Sequence, residues 1–116
     1  MAKKTTPAAG FNFVRWDIEA LTGYKPQTTF WEDFCIADAY GAEAVIDTYR
    51  RAFKAWHDNT AYVTELVLVL NHKIWQHYKT NRPLAAIYDK LWKECDAWCL
   101  DNFKGEDADY YYRITD

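Results

Sequence analysis

The sequence from Leu84 to Phe103 is LAAIYDKLWKECDAWCLDNF, and its apolar side chains decide the fold class. They recur at the i, i+3, i+4, i+7 and i+8 spacing that places side chains on one face of a helix. The stripe consists of Leu84, Ile87, Tyr88, Leu91, Trp92, Cys95, Trp98, Cys99 and Phe103. Gly105 follows at the position where a C-terminal glycine would end the helix. The pattern predicts a long amphipathic helix, with Leu91 and Trp92 buried in a core.

Two shorter helices are predicted on either side of Gly41. Thr29 and Glu32 have the spacing of a capping box, which predicts a helix from Phe30 to about Tyr40. Its inward face is expected to be Phe30, Phe34 and Ala37. A second amphipathic stripe follows Gly41 and predicts a helix of roughly four turns. That stripe consists of Val45, Ile46, Tyr49, Ala52, Phe53 and Trp56.

The segment 61–79 is the most apolar and is predicted to be the central helix of a bundle. Residues 64–70, TELVLVL, alternate as in a strand, but Ile74, Trp75 and Tyr78 continue a helical pattern without a turn signal. Both ends carry residues typical of helix boundaries, namely Asp58-Asn59-Thr60 and Asn81-Arg82-Pro83.

The N-terminal part of the chain is ambiguous. Within residues 11–24, the side chains from Val14 to Ala20 alternate between apolar and charged, as in a strand. Helical spacing fits as well, and Gly23 stands where a helix would end, so we favour a helix. Residues 1–10 are small, polar and basic, and we expect a flexible arm there.

The composition is typical of one all-α domain. The chain has 116 residues, of which 50% are hydrophobic and 18% aromatic, but only four glycines and three prolines. So few turn-forming residues argue against an all-β sandwich or barrel, and the apolar content excludes a disordered chain. We therefore predict a single compact bundle of four to five helices over residues 11–116, preceded by the arm.

Charge and residue content exclude several functional classes. The net charge is −3, so no overall basic field attracts nucleic acid. Seven of the 17 acidic residues lie from Glu94 onward, which concentrates negative charge at the C-terminal end. The chain has no serine and no glycine-rich phosphate loop, which excludes a serine nucleophile elbow and a nucleotide fingerprint. We assign no catalytic or cofactor-binding residue, and a non-enzymatic protein is favoured.

The candidates for metal ligation are Glu65, His72, His77 and Asp38. No histidine follows an acidic residue at the three-residue spacing of bundle metal sites. His72 and His77 are five residues apart, about 140° around a helix, so they do not readily share one ion. Asp38 is included because it faces the same side as Phe34. A polar helix surface is the favoured explanation of these residues, and no bound metal or cofactor is predicted.

Cysteine usage favours a reducing compartment. Cys35, Cys95 and Cys99 make an odd number, and the last two share a helical face without the two-residue gap of zinc or redox motifs. We expect them to be small buried apolar side chains with free thiols. Residues 1–10 do not resemble a secretory leader, and the longest apolar run, Leu66–Leu70, is too short to span a membrane. The predicted location is the cytoplasm.

Aromatic side chains outnumber those that a small bundle is expected to bury. The chain has six Trp, nine Tyr and six Phe, and surface Trp and Tyr favour interfaces. Tyr110, Tyr111 and Tyr112 cannot all face one side of a regular element, so at least one ring needs a second surface. That surface is either the segment around Trp16 or another chain. We expect a homodimer, or docking on a protein partner, with these residues near the contact.

Three segments, TTFWEDFCIADAYG, IDTYRRAF and ELVLVLNHKIWQHY, resemble a family of small α-helical proteins. Bacteriophages and mobile elements of gut-type bacteria encode this family, and its role is unassigned. The resemblance covers about residues 20–116 and implies a phage or mobile-element context, with no functional residues to carry over.

Three functional hypotheses follow. The first is a non-enzymatic phage or mobile-element protein that acts in the host cytoplasm through protein–protein contact. One alternative is a helix-bundle metal-binding protein or small enzyme that uses the four candidate ligands. The other is a nucleic-acid-associated protein that binds through Arg50, Arg51 and Lys54, or that mimics nucleic acid through its acidic C-terminal end.

Overall fold

The structure is a computed structural model that describes the backbone of residues 15–116 and the side chains from Ile18 onward. Over these residues the chain is all-helical, which confirms the predicted class, and it forms six helices where four to five were expected. They are α1 (Arg15–Thr22), α2 (Phe30–Tyr40), α3 (Ala42–Trp56), α4 (Thr60–His77), α5 (Arg82–Asn102) and α6 (Glu106–Thr115). None of them combines the length and apolar content needed to cross a bilayer.

The helical interpretation of the N-terminal segment is confirmed for residues 15–22, where the alternative strand is wrong. Gly23 ends α1 with a φ of 77°, and its N–H donates to the Glu19 carbonyl at 2.8 Å. A positive φ suits glycine because it has no Cβ to clash with the backbone. The predicted arm, 1–10, and the start of the predicted helix lie outside the described residues.

Asparagine caps start the two longest helices. The Asn59 side chain accepts the Tyr62 N–H at the start of α4, and the Asn81 side chain accepts the Leu84 N–H at the start of α5. Each cap satisfies one of the backbone donors that a first turn leaves without a helical partner. The boundaries predicted at both places are confirmed.

Two local predictions are wrong. Thr29 does not cap α2, because its backbone (φ −93°, ψ 11°) is not extended and its hydroxyl donates to Asp33 Oδ2 at 3.0 Å. Gly105 does not end the preceding helix, since α5 stops at Asn102 and Phe103 is extended. Gly105 instead precedes α6 with a φ of 56°. The C-terminal acidic and tyrosine-rich segment is therefore a separate helix.

Helix α4 is central, as predicted, and packs against α2, α3, α5 and α6. The segment Val63–Val67 is buried throughout, and so are Val69 and Leu70. The inward face of α2 is confirmed, and Leu91 is buried with 3% exposure. Trp92 is only half-buried, because its side chain borders a groove between α4 and α5.

Candidate functional site

A buried polar cluster joins α2, α4 and α5 around Asp38. Asp38 Oδ2 lies 2.9 Å from Lys73 Nζ and 2.9 Å from His77 Nε2. Asp38 Oδ1 accepts a hydrogen bond from the Tyr88 hydroxyl. The His77 and Tyr88 rings stack with their planes 6° apart. The Asp38 carboxylate on α2 thus accepts hydrogen bonds from side chains of α4 and α5, and the cluster links the three helices.

Lys73 carries the positive charge of this cluster, and its side chain has 0% exposure. Its ammonium also donates to Cys35 Sγ at 3.2 Å. Burial raises the pKa of the Cys35 thiol, and the smaller opposing effect of Lys73 does not reverse that shift. Burial, together with the Asp38 hydrogen bond, likewise raises the pKa of the Tyr88 hydroxyl. Neutral Cys35 and Tyr88 therefore surround one compensating ion pair.

Lys73 was not among the residues predicted from the sequence, although its position carried a signal. Lys73 follows Leu66 and Leu70 at the spacing of the buried stripe of α4. A lysine on such a stripe requires a buried acceptor, because an ammonium is costly to remove from water without one. The identity of that acceptor depends on how α2 packs against α4.

A second buried cluster surrounds Glu65, whose side chain is fully buried in α4. Its two carboxylate oxygens accept five hydrogen bonds: from the Tyr24 hydroxyl, the Gln27 N–H, the Thr28 N–H and hydroxyl, and the Trp31 indole N–H. Burial, followed by the Glu65 carboxylate, raises the pKa of the Tyr24 hydroxyl. These hydrogen bonds hold the connection between α1 and α2, which contains Tyr24, Gln27 and Thr28, against the central helix α4.

The four metal candidates do not converge on one point. Asp38 meets His77, but Glu65 belongs to the second cluster, and His72 packs its ring edge-on against Trp31 at 5.6 Å. Among the side chains that the structure describes, from Ile18 onward, no group of three or more His, Cys, Asp or Glu is placed to hold a metal ion. Asp38, His77 and Glu65 instead bond to other protein groups, and His72 packs against Trp31.

The cysteines are free and buried, and Cys95 and Cys99 are the small apolar core residues that were predicted. The hydrogen bond to Cys99, together with burial, raises the pKa of Cys95. A protonated thiol is a poor nucleophile. The arrangement therefore supports a packing role for this pair.

A groove of about 450 Å³ runs between α4 and α5, and we call it the α4–α5 groove. It is lined by Asn71, Ile74, Trp75, Tyr78, Arg82, Ala85, Ala86, Asp89 and Trp92. Trp75 is 65% exposed and Tyr78 44% exposed, and the two rings lie 5.6 Å apart. The Arg82 guanidinium lies over the Tyr78 ring at 4.8 Å. Both walls are continuous helix faces, which is the shape that receives another helix.

A second groove of about 510 Å³ lies between α2 and α3 and is called the α2–α3 groove. Its exposed apolar side chains are Ile36, Tyr40 and Trp56, and its charged side chains are Asp33, Asp47 and Arg51. Arg51 is paired with Asp47 at 2.9 Å. This groove is the more strongly charged of the two.

The C-terminal tyrosines separate into three environments. Tyr111 is buried in its own chain and donates to Asp96, so it cannot line a contact between chains. Tyr110 interacts with the Tyr24 hydroxyl, which is a contact with the chain's own N-terminal region. Tyr112 is 52% exposed. The side chain of Trp16, the fourth predicted interaction residue, lies outside the described part of the chain.

Ion pairs occupy two of the three residues in the predicted basic patch. Arg50 is bonded to Glu94 through both of its terminal nitrogens, and Arg51 is bonded to Asp47. Paired guanidinium groups offer less charge to a phosphate backbone than free ones. The patch therefore gives little support to the nucleic-acid hypothesis.

No known family, curated protein or solved structure matches this chain.

Proposed function

We propose that this protein is a non-enzymatic helical protein that acts through protein–protein contact, receiving an amphipathic helix of another chain in the α4–α5 groove. The observation that carries the proposal is the exposure of Trp75, at 65%, beside Tyr78 in a groove that Ala85 and Ala86 also line. An exposed indole next to a concave apolar surface is unfavourable in water and favourable in an interface.

The residues of this groove are of the types that dominate binding energies. Trp, Tyr and Arg are the commonest hot-spot residues, and here Trp75, Tyr78 and Arg82 are neighbours in the lining of the groove. Ala85 and Ala86 leave space between them and Trp92. A helix placed there would cover the aromatic rings and leave Arg82 and Asp89 at a polar rim.

The buried clusters support a non-enzymatic function. The donors and acceptors around Asp38 and Glu65 bond to one another and tie helices together, which is the behaviour of structural networks. The phage or mobile-element context is proposed from the resemblance of the three sequence segments alone.

The test uses the affinity-tagged chain as bait in a lysate of the cells that express it, with captured proteins identified by mass spectrometry. Trp75→Ala should reduce capture of a specific partner by about tenfold or more, since it removes a central aromatic anchor. Tyr40→Ala is the matched control, because Tyr40 is an 81% exposed aromatic residue of the other groove. Equal capture by both variants and the unaltered bait would contradict the proposal, provided that circular dichroism shows both variants folded.

A further inference from the structure

We infer that the helix received by the α4–α5 groove is α5 of a second copy of this chain, in an antiparallel pair with two-fold symmetry. The inference rests on the proposed function and names its partner. It is carried by the order of four residues of α5 that line the groove: Arg82, Ala85, Ala86 and Asp89.

These four residues are symmetric about the midpoint between Ala85 and Ala86. Arg82 and Asp89 are seven residues apart, which is about 10.5 Å along a helix. When two such helices cross in opposite directions at that midpoint, Arg82 of one copy faces Asp89 of the second copy, and the reverse pair forms as well. A two-fold contact requires this self-complementarity, because one patch must bind itself.

Side-chain size at the midpoint fits the same geometry. Ala85 and Ala86 are the small residues that allow two helix axes to approach within about 8 Å. Trp75, Tyr78 and Trp92 border this point and would be covered from both copies. The crossing would therefore remove the exposed indole from water in each chain.

Charge distinguishes this groove from the other as a self-docking surface. Among the described residues that line the α4–α5 groove, Arg82 and Asp89 carry the charge, and they cancel. Asp89 also pairs with Lys93 at 3.0 Å, and both are exposed, so the pair can rearrange at low cost. The α2–α3 groove has two acids and one arginine, so two copies would bring a net negative charge together.

The experiment measures mass by light scattering and sedimentation, from low micromolar to submillimolar protein. We expect the unaltered chain to approach twice its 13.7 kDa mass as its concentration rises. Arg82→Asp and Asp89→Arg should each weaken the dimer by about tenfold or more, because each places like charges opposite each other twice. An equimolar mixture of the two variants should dimerise again, since each restores the charge that the other lacks. Lys90→Asp, a reversal at an exposed position of α5 outside the groove, is the control.

Ala86→Trp gives an independent test, because a large side chain at the midpoint blocks the crossing whatever the charges do. A chain that stays monomeric at every concentration overturns the inference, as does a dimer that survives these substitutions or a mixture that stays monomeric. If the chain is monomeric but Trp75 still controls the capture of a different protein, the proposed function stands and only its partner is wrong. If Trp75 also fails to control capture, both are wrong.

Discussion

Replacing Asp38 by asparagine should destabilise the protein strongly. The substitution keeps the size of the side chain but removes the negative charge that lies 2.9 Å from the Lys73 ammonium. Breaking a buried ion pair typically costs about 3–5 kcal/mol, because the second charge stays in the interior. The Asp38 side chain is 14% exposed while that of Lys73 is 0% exposed, so some water reaches the pair and we expect the lower end, about 3 kcal/mol.

The amide of an asparagine would also direct its NH₂ group at one side of the cluster. Asp38 Oδ2 accepts from Lys73 and His77, and Oδ1 accepts from Tyr88. With its NH₂ toward Lys73 the amide would set a donor against a donor, and in the other orientation the Tyr88 hydroxyl would have to accept instead of donate. A loss of about 3 kcal/mol is a large part of a typical unfolding free energy of about 5–15 kcal/mol, so the urea midpoint should fall clearly.

A double-mutant cycle separates the ion pair from general packing. Lys73→Met removes the buried charge and keeps a similar apolar volume, and the double variant with Asp38→Asn should be more stable than the sum of the two single losses by about 1–3 kcal/mol. Asp33→Asn, at an exposed acid of α2, should change stability by less than about 0.5 kcal/mol. The buried ion pair would not be the source of the stability if the two single losses of unfolding free energy simply added in the double variant. The same conclusion would follow if Asp38→Asn lowered that free energy by less than about 1 kcal/mol.

Four other outcomes are expected. Glu65→Gln should cost roughly 3 kcal/mol or more in urea unfolding, because the amide cannot accept from all the donors that the carboxylate serves. Leu91→Ala should cost about 2–5 kcal/mol, and an unchanged urea midpoint would remove this residue from the core. The three buried cysteines should react with a thiol reagent only in denaturant, and rapid reaction of the native protein would contradict their burial. Burial, followed by the Lys73 charge, lowers the pKa of His72. The unfolded state therefore binds more protons than the folded state near pH 6.5, and the stability of the protein falls as pH decreases through that value. His72→Phe should flatten this pH dependence between about pH 7 and 5 in thermal melts.

Local sequence signals predicted the elements whose stabilisation is itself local. The Asn59 and Asn81 side chains each accept a hydrogen bond from the backbone N–H three residues later, so both partners lie close together in sequence. The capping box at Thr29 failed even though its residue types were right, because the backbone there is turned by Thr28, whose own side chain bonds Glu65 and accepts the Phe30 N–H. The hydrogen bond to Glu65, which is 37 residues away in sequence, thus prevailed over the local capping preference of Thr29.

The sequence alone determined that this chain is helical, that a central helix lies at about residues 61–79, observed as Thr60–His77, and that one face of 84–103 is buried. The 3.6-residue period behind these predictions needs only neighbouring positions. Tertiary structure alone decided that Asp38 bonds Lys73 and His77, and that Glu65 receives its donors from the connection before α2. It also decided that Trp75 borders an open groove while Tyr111 is enclosed. These outcomes depend on which helices lie side by side. Because the hydrophobic effect that packs the helices is non-directional, it does not specify which polar groups will pair. The partners of Asp38 and Glu65 are therefore determined only by the final packing of the helices.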